Sequence, residues 1–234
     1  MQPCTACAEK DFMVQFKKTE AAMKDFPMFT TEYGVAALVL REIPYRKTAY
    51  IRIHDSLSPT ELLAECVDFC RVCGAERILA TGHEVLEAYP IHSSLLEMRC
   101  QREFLPDTDA ALWPVQQQTL EFWRKLYNKR MEGVDNAAWM TEKDAAQMLA
   151  KGDGYFVHRG ETLLGIGRAS GDEMPVVISC VPGGGRDVVL ALNHAVSSDT
   201  VRLEVASTNK RAIGLYQKLG FFTTAERTRW YKIL

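Results

Sequence analysis

The order of helix-like and strand-like runs over residues 114–233 constrains the fold of this chain more than any other feature of its sequence. Two amphipathic runs typical of helices come first. Three short strand-like runs follow, joined by hairpin signals at Arg159-Gly160-Glu161 and Ser170-Gly171-Asp172. Helix, strand, helix and strand then complete the segment. This order predicts an α/β fold with a mixed, mainly antiparallel sheet flanked by helices.

The predicted elements of this segment can be placed from caps and periodicity. Pro114 is expected at the start of the first helix, Thr141 caps the second, and Gly220 ends the last. Helices are predicted over about 114–130, 142–151, 186–196 and 210–219, and strands over about 154–159, 162–169, 175–181, 201–206 and 221–233, the last as one strand or a pair.

Residues 1–105 show a less regular alternation. Strand-like runs occupy about 34–40, 48–54 and 76–81, and a helix over about 59–73 separates the last two, which predicts a parallel crossover. A further strand is expected to end near Cys100. Pro, Asp and Thr interrupt both periodicities over residues 103–110. The predicted domains are therefore residues 1–105 and 106–234.

The segment VRLEVASTNKRAIGLYQKLGF, residues 201–221, resembles the C-terminal signature of the GNAT superfamily, whose members transfer an acyl group from acyl-CoA to an amine. The resemblance covers residues 107–234 and implies acetyl-CoA as cosubstrate, with direct attack by the amine in a cleft between strands 175–181 and 201–206. Residues 1–105 look like a degenerate GNAT-like half, which gives two tandem halves. The matching positions are the strand LEV, Asn209, Ala212, Leu215-Tyr216, Lys218 and Gly220-Phe221.

Two residues of the signature have both structural and functional interpretations. Asn209 precedes a helix and is suited to capping it, and the resemblance places it beside the thiol end of CoA and implies that Ala212 also binds the cofactor. Tyr216 shares a helical face with Ala212, Ile213 and Leu219, so it is either a packed aromatic or the general acid that protonates the departing thiolate, as the resemblance implies.

The attacking amine must lose a proton, so a base or a water chain is needed. Glu204 alternates with the apolar residues of its strand and is a candidate base, although a surface or salt-bridged Glu fits the same pattern. Glu173 and His158 are rival candidates that the sequence does not rank. Cys180 is not expected to act as a nucleophile, because direct transfer needs none.

The stretch VPGGGRDVVLAL, residues 181–192, stands where the GNAT family has its pyrophosphate loop. Amides at a helix start attract anions, and the resemblance implies that Ser179, Cys180 and Val181 hold the pantetheine and the developing oxyanion. Gly183, Gly184, Gly185 and Arg186 would bind the phosphates. The loop is shorter than the family's, and Asp187 would bring a negative charge close to the phosphates.

Composition limits the remaining possibilities. A net charge of −2 argues against a general nucleic-acid binder, and no apolar run is long enough to span a bilayer. The N-terminus lacks the layout of a signal peptide, so we expect a cytoplasmic protein. The basic residues of 200–234 suit a small polyanionic ligand or form a solvated face. The expected partner is a small-molecule or peptide amine, and the oligomeric state is not predicted.

The cysteines raise the question of a metal. Cys66, Cys70 and Cys73 have the spacing of some iron–sulfur sites, and Cys4 and Cys7 offer two further ligands. The predicted helix over 59–73, capped by Ser58, places Leu62, Cys66, Phe69, Cys70 and Cys73 on one face, which favours small core residues and no metal.

Three hypotheses follow. The first is an N-acetyltransferase that uses acetyl-CoA and the residues Tyr216 and Glu204. The second is a non-catalytic module that binds or senses acyl-CoA. The third is a cysteine-ligated metal protein.

Overall fold

The structure is a computed structural model and describes residues 27–234, so Cys4 and Cys7 lie outside it. The described chain forms two compact units. One comprises residues 27–93 together with Thr228–Leu234, and the other comprises Ser94–Arg227. The changes between units fall within strands β5 (Ile91–Gln101) and β11 (Phe222–Lys232).

The first unit contains strands β1 (Met28–Thr31), β2 (Gly34–Val39), β3 (Thr48–Ser56) and β4 (Arg77–Thr81), and helices α1 (Ile43–Arg46) and α2 (Pro59–Val72). Its strand order is β1-β2-β3-β4, followed by the end of β11. β3 and β4 pair in parallel, which confirms the predicted crossover through α2.

Helix α2 carries its apolar face into the core of this unit. Leu62, Cys66 and Cys70 have no exposed surface, and burial raises the pKa of both thiols to about 12. Cys73, at the C-cap, is exposed, so the apolar face ends a turn earlier than predicted. The Ser58 side chain makes no capping hydrogen bond. Within residues 27–234, no three His, Cys, Asp or Glu side chains are grouped so that they could hold a metal ion.

The second unit begins with the rest of β5 and ends with the first part of β11. Between β5 and β11 lie β6 (Ala111–Pro114), α3 (Leu120–Met131), α4 (Glu142–Lys151), β7 (Gly154–Arg159), β8 (Thr162–Ser170), β9 (Glu173–Ser179), α5 (Gly185–Asn193), β10 (Thr200–Ala206) and α6 (Lys210–Lys218). The strand order is β11-β5-β10-β9-β8-β7-β6, and only β9 and β10 pair in parallel in the described register. The fold class is thereby confirmed as α/β with a mixed, mainly antiparallel sheet flanked by helices. Short 3₁₀ helices occupy Glu84–Ala88, Arg102–Phe104 and Gln117–Thr119.

The start of α3 differs from the sequence prediction. Pro114 ends strand β6, opposite Tyr155 of β7, and the helix begins only at Leu120. A proline disfavours helical backbone in the residue before it. Trp113 is accordingly extended and pairs with Phe156. Helix α5 is also shorter than predicted, since it ends at Asn193.

Residues 94–101 belong to the second unit, although the predicted boundary places them in the first half. Their part of β5 pairs antiparallel with β10 in a continuous register from Thr200–Gln101 to Ala206–Leu95. This register places Glu97 directly opposite Glu204. Residues opposite each other on paired strands project to the same face.

The core of the second unit fixes the position of α5. Val188 to Leu192 are at most 1% exposed and pack against β8. A Cβ atom on Gly165 or Gly167 of β8 would overlap Val188 or Leu192, so these glycines allow the helix to approach the sheet closely. The N-terminus of α5 is thereby held at the end of β9.

Candidate functional site

Strands β9 and β10 diverge along their length. Within the described register they share one pair, Glu173 with Arg202, at the start of both strands. Beyond it β9 continues to pair with β8, and β10 continues to pair with β5. A gap therefore opens between two adjacent parallel strands, at the place where the sequence resemblance predicts the cleft.

A cleft of about 700 Å³ occupies this gap, within the second unit. Its walls come from residues 174–183, from residues 204–206, from the start of α6 and from the segment 134–138 between α3 and α4. This volume is in the range of small-molecule sites.

The backbone of β9 supplies hydrogen-bond donors to the gap. The Cys180 amide donates to Leu164 O of β8 at 2.8 Å, so it does not face the gap. Successive amides of a strand point to opposite edges. The amides of Ser179 and Val177 therefore point away from β8, toward β10. Of the residues expected to bind pantetheine, Ser179 provides an amide that faces the gap. The Cys180 amide is already hydrogen-bonded to β8.

The glycine stretch forms a tight turn into α5. Gly183 has φ +80°, a conformation that glycine adopts at little cost, and the Gly184 amide donates to Val181 O at 3.2 Å. A Cβ atom on Gly185 would lie 2.9 Å from Leu215 Cδ2 of α6. Ser179 Oγ donates to Val181 O at 2.6 Å and braces the same turn. The stretch thus places the start of α5 at the cleft.

Arginines and an ion-paired aspartate lie around this turn. Arg130 donates to Cys180 O at 2.8 Å, and Arg130, Arg186 and Arg211 all line the cleft. Asp187, whose charge the sequence places near the expected phosphates, pairs with Arg159 at 3.0 Å. The turn is therefore more favourable to an anion than the sequence indicates.

Asn209 and Ala212 both lie in the cleft wall. Asn209 Oδ1 accepts a hydrogen bond from the Ala212 amide at 3.1 Å and caps α6. The capping role that the sequence predicts is therefore present, at a position that also faces the cleft.

Tyr216 of α6 combines core packing with a place in the cleft wall. It is 6% exposed, and its ring lies 5.8 Å from that of Phe221. Burial raises the pKa of its phenol to about 12. The side chain therefore stays protonated over the whole neutral range.

The structure separates the three candidate bases. Glu204 lines the cleft, whereas Glu173 pairs with Arg202 at 3.0 Å and the His158 ring stacks on Trp113 at 4.5 Å, both outside the cleft wall. Partial burial, and next the nearby Glu173 carboxylate, raise the pKa of Glu204. Among the candidates, Glu204 alone is placed to meet a ligand in the cleft.

The sequence does not predict that several of the residues lining the cleft lie there. Arg130 ends a helix, and Asp135 lies in the following loop, where its carboxylate accepts a hydrogen bond from Thr208 Oγ1 at 2.8 Å. Neither residue belongs to a recognisable motif, and only the fold brings them to the cleft. Arg211, by contrast, stands two residues after Asn209 in the GNAT-like segment.

No protein-family model and no curated protein sequence matches the chain. No helix within residues 27–234 is both long and apolar enough to cross a membrane.

Solved structures share the fold at low sequence identity. A GCN5-related N-acetyltransferase from Kribbella flavida aligns with a TM-score of 0.56 and 11% identity over 88% of this chain and 59% of its own. Another from Sphaerobacter thermophilus has a TM-score of 0.51 and 9% identity, over 92% and 81%. Eis1 from Mycobacterium abscessus has a TM-score of 0.51 and 14% identity, over 100% and 72%. The chain therefore has the fold of the GCN5-related N-acetyltransferases, as the sequence resemblance predicts.

Proposed function

We propose that the chain is an N-acetyltransferase that transfers the acetyl group of acetyl-CoA to a primary amine of a small molecule or peptide. The observation that carries this proposal is the gap between β9 and β10, with Glu204 and Tyr216 in the wall of the same cleft. Two parallel strands that separate leave backbone donors without strand partners. An extended, amide-containing ligand such as pantetheine can pair with them.

The residues present fit an acyl-CoA. The Val177 and Ser179 amides face the gap and suit the pantetheine amides and the developing oxyanion. The start of α5 and Arg186 suit the pyrophosphate, because helix amides and a guanidinium both favour an anion. Arg159, which Asp187 shares with Asp109, offsets part of the negative charge that argues most strongly against this assignment.

Glu204 prepares the amine for attack. A primary amine enters as an ammonium ion, and its proton passes to the Glu204 carboxylate. The raised pKa of Glu204 brings the carboxyl closer to the pH at which it must act. The neutral nitrogen then attacks the thioester carbonyl carbon and later releases its second proton.

Tyr216 assists the departure of the thiol. As the carbon–sulfur bond breaks, the phenol donates a hydrogen bond to the sulfur, which leaves as the thiol of CoA after taking up one proton. The acetyl group remains on nitrogen as an amide. Overall the ammonium gives up two protons, one to the thiol and one to solvent.

The test combines calorimetry with an assay of thiol release. We expect acetyl-CoA to bind the full chain with micromolar affinity and to release CoA only when an acceptor from an amine panel is present. Absence of binding at millimolar acetyl-CoA contradicts the proposal.

A second candidate function is a non-catalytic acyl-CoA sensor. The short glycine turn favours it, because this turn departs most from the GNAT pattern. Acetyl-CoA binding without transfer to any amine of the panel is the result expected for a sensor.

A further inference from the structure

Glu97 of β5 is a buried carboxylate that the proposed reaction does not use. It is 1% exposed. Its Oε1 accepts hydrogen bonds from Arg99 Nε at 2.7 Å and from Thr224 Oγ1 at 2.8 Å. Its Oε2 accepts from Arg227, whose Nε lies at 2.7 Å, and Arg202 approaches to 3.8 Å. A buried carboxylate remains charged only when it is paired in this way.

These contacts keep Glu97 ionised. The hydrogen bond from Arg99 is the largest cause that holds its pKa down, at about 2, with further contributions from Thr224 and Arg227. Glu97 is therefore a fixed negative charge at every pH at which the protein is expected to act.

This fixed charge lies directly across from Glu204. The two residues are register partners on β5 and β10, so their side chains project from the same face of the sheet. Like charges in directly opposed positions destabilise a strand pair unless cations compensate them. Arg99 and Arg202 form the next register pair on that face and supply such cations.

The guanidinium groups near Glu204 form ion pairs with other carboxylates. Arg202 binds Glu173 at 3.0 Å and approaches Asp172 at 3.7 Å, while Arg99 and Arg227 bind Glu97. In the part of the chain that the structure describes, Glu204 takes part in no ion pair or side-chain hydrogen bond. The charged groups that face Glu204 are Arg202 on its own strand, Glu97 on β5, Glu173 on β9 and Arg227 on β11, with Arg130, Asp135, Arg186 and Arg211 around the cleft.

We propose that Glu97 is a positioning residue for the acetyl transfer proposed above. By binding Arg99 and Arg227, it keeps their guanidinium groups from pairing with Glu204, which therefore remains a proton acceptor in the cleft. The inference rests on the proposed role of Glu204, but its electrostatic content is measurable without any activity.

The direction of the effect follows from charge. Counting Asp172, Glu173, Glu97 and Glu204 against Arg99, Arg202 and Arg227, the cluster has one more carboxylate than guanidinium groups. Replacing Glu97 by Gln removes this excess and frees cations for Glu204. We therefore expect the pKa of Glu204 to fall by about one unit in Glu97→Gln. Arg227→Gln removes a cation and is expected to raise it.

The experiment is a carbon-13 NMR titration of the full chain with labelled glutamate. The Glu204 carboxyl signal is assigned by its loss in Glu204→Gln and followed in Glu97→Gln and Arg227→Gln. Glu226→Gln is the matched control, because Glu226 precedes Arg227 on β11, projects to the opposite face of the strand and accepts a hydrogen bond from Ser94 Oγ at 2.7 Å. We expect shifts of opposite sign in the first two variants and none in the control.

An unchanged Glu204 titration in folded Glu97→Gln overturns the inference. If Glu97→Gln does not fold, Arg227→Gln provides the test, since the Arg227 side chain is 45% exposed and its replacement disturbs the fold less. A Glu204 pKa that does not rise in Arg227→Gln overturns the inference equally. With an acceptor in hand, the acid limb of kcat/KM must move with the titration. A shifted titration in a chain that transfers no acetyl group refutes the proposed function while leaving the electrostatic effect of Glu97 established.

Discussion

Tyr216 and Glu204 line the same cleft, and burial raises the pKa of both side chains. The chemical consequences differ. A carboxyl group with a raised pKa becomes a better proton acceptor for an ammonium ion. A phenol with a pKa of about 12 becomes a poorer proton donor to a thiolate. Because a thiol has a pKa of about 8.5, complete transfer from the phenol is uphill by about 5 kcal/mol. In the proposed reaction Tyr216 is therefore better suited to donating a hydrogen bond to the sulfur than to giving up its proton, and solvent can complete the protonation.

Removal of the Tyr216 hydroxyl should accordingly have a limited effect. A hydrogen bond to a charged group contributes about 1.5–3 kcal/mol, so we expect Tyr216→Phe to lower kcat about 10- to 100-fold. The KM for acetyl-CoA should change little, because the hydrogen bond forms only as charge develops on sulfur. Steady-state thiol release measures both constants. Tyr155→Phe is the matched control, since Tyr155 packs on the same core without lining the cleft. Unchanged turnover in Tyr216→Phe would falsify the assignment.

Glu204→Gln tests the base. In the proposed reaction the amine loses its proton only to an ionised Glu204, so kcat/KM should rise as pH increases through the pKa of Glu204, which lies above the ordinary 4.5. The amide cannot accept the proton, and kcat/KM at pH 7 should fall about 100-fold or more. The pH profile should also lose its acid limb. Glu161→Gln, in the exposed β7–β8 hairpin, should behave as the unchanged protein. Retention of the acid limb in Glu204→Gln assigns that limb to another group.

For single residues, the sequence predicts roles that depend only on the helix or strand to which the residue belongs. Strand alternation correctly separates Glu204 from its apolar neighbours, and the helix start correctly identifies Asn209 as a cap. It does not predict partners that the fold brings together from distant segments. The Arg159–Asp187 pair joins a strand end to a helix start, and Glu97 meets Arg227 across 130 positions of the chain.

The turn between β9 and α5 is the element that the proposed cofactor binding depends on most. Its three glycines do not have equal roles. Gly183 needs a positive φ, whereas Gly185 needs room against Leu215. Each requirement concerns the position of the first turn of α5, whose amides face the cleft. The sequence locates this turn but not its geometry, because three consecutive glycines allow many conformations.

Gly183→Ala separates the effect of the turn on folding from its effect on binding. Gly183 has φ +80°, and no atom lies within 4 Å of the position that a Cβ would take, so alanine should cost about 1 kcal/mol of backbone strain alone. Gly160 offers a matched control, because it has φ +55° and the same open surroundings in a hairpin away from the cleft. Thermal denaturation should show similar losses of stability in both alanine variants. Calorimetry should show weaker acetyl-CoA binding in Gly183→Ala only. Equal affinities in the two variants contradict a role of this turn in binding.

The start of α3 shows how neighbouring elements compete for residues. Pro114 is a good first residue of a helix, and the amphipathic pattern continues from it. Pairing with β7 places this residue in a strand instead, since Leu112 and Trp113 form the edge of the sheet next to β7. Pairing of this kind is a tertiary effect, which local periodicity does not contain.

At the scale of the whole molecule, the second unit depends on β5. This strand precedes the GNAT-like segment, yet it pairs with β10 and brings Glu97 to the face that carries Glu204. The sequence predicts a strand near Cys100 but not its partner, because strand order depends on contacts between distant segments. The fold class is predictable because it follows from the order of elements, whereas the charge network is not.

The Glu97 network should also control the acid stability of the second unit. The ordinary carboxyl pKa of 4.5 is lowered to about 2 in the folded protein. A lowered pKa means that ionised Glu97 stabilises the fold above pH 4.5, and that this contribution is lost as pH falls from 4.5 through 2. Glu97→Gln should therefore be less stable at pH 7 by about 3 kcal/mol, and its stability should depend less on pH below 4.5.

Tryptophan fluorescence can follow this unit separately from the other. Of the 4 tryptophans, only Trp230 belongs to the first unit, so a Trp230→Phe background leaves Trp113, Trp123 and Trp139 as reporters of the second. Urea unfolding between pH 2 and 7 then gives its stability. Glu121→Gln is the control, because Glu121 pairs with Arg124 on the surface and such pairs contribute little. Parallel pH profiles for Glu97→Gln and the background protein would show that Glu97 is not the group that links acid to unfolding.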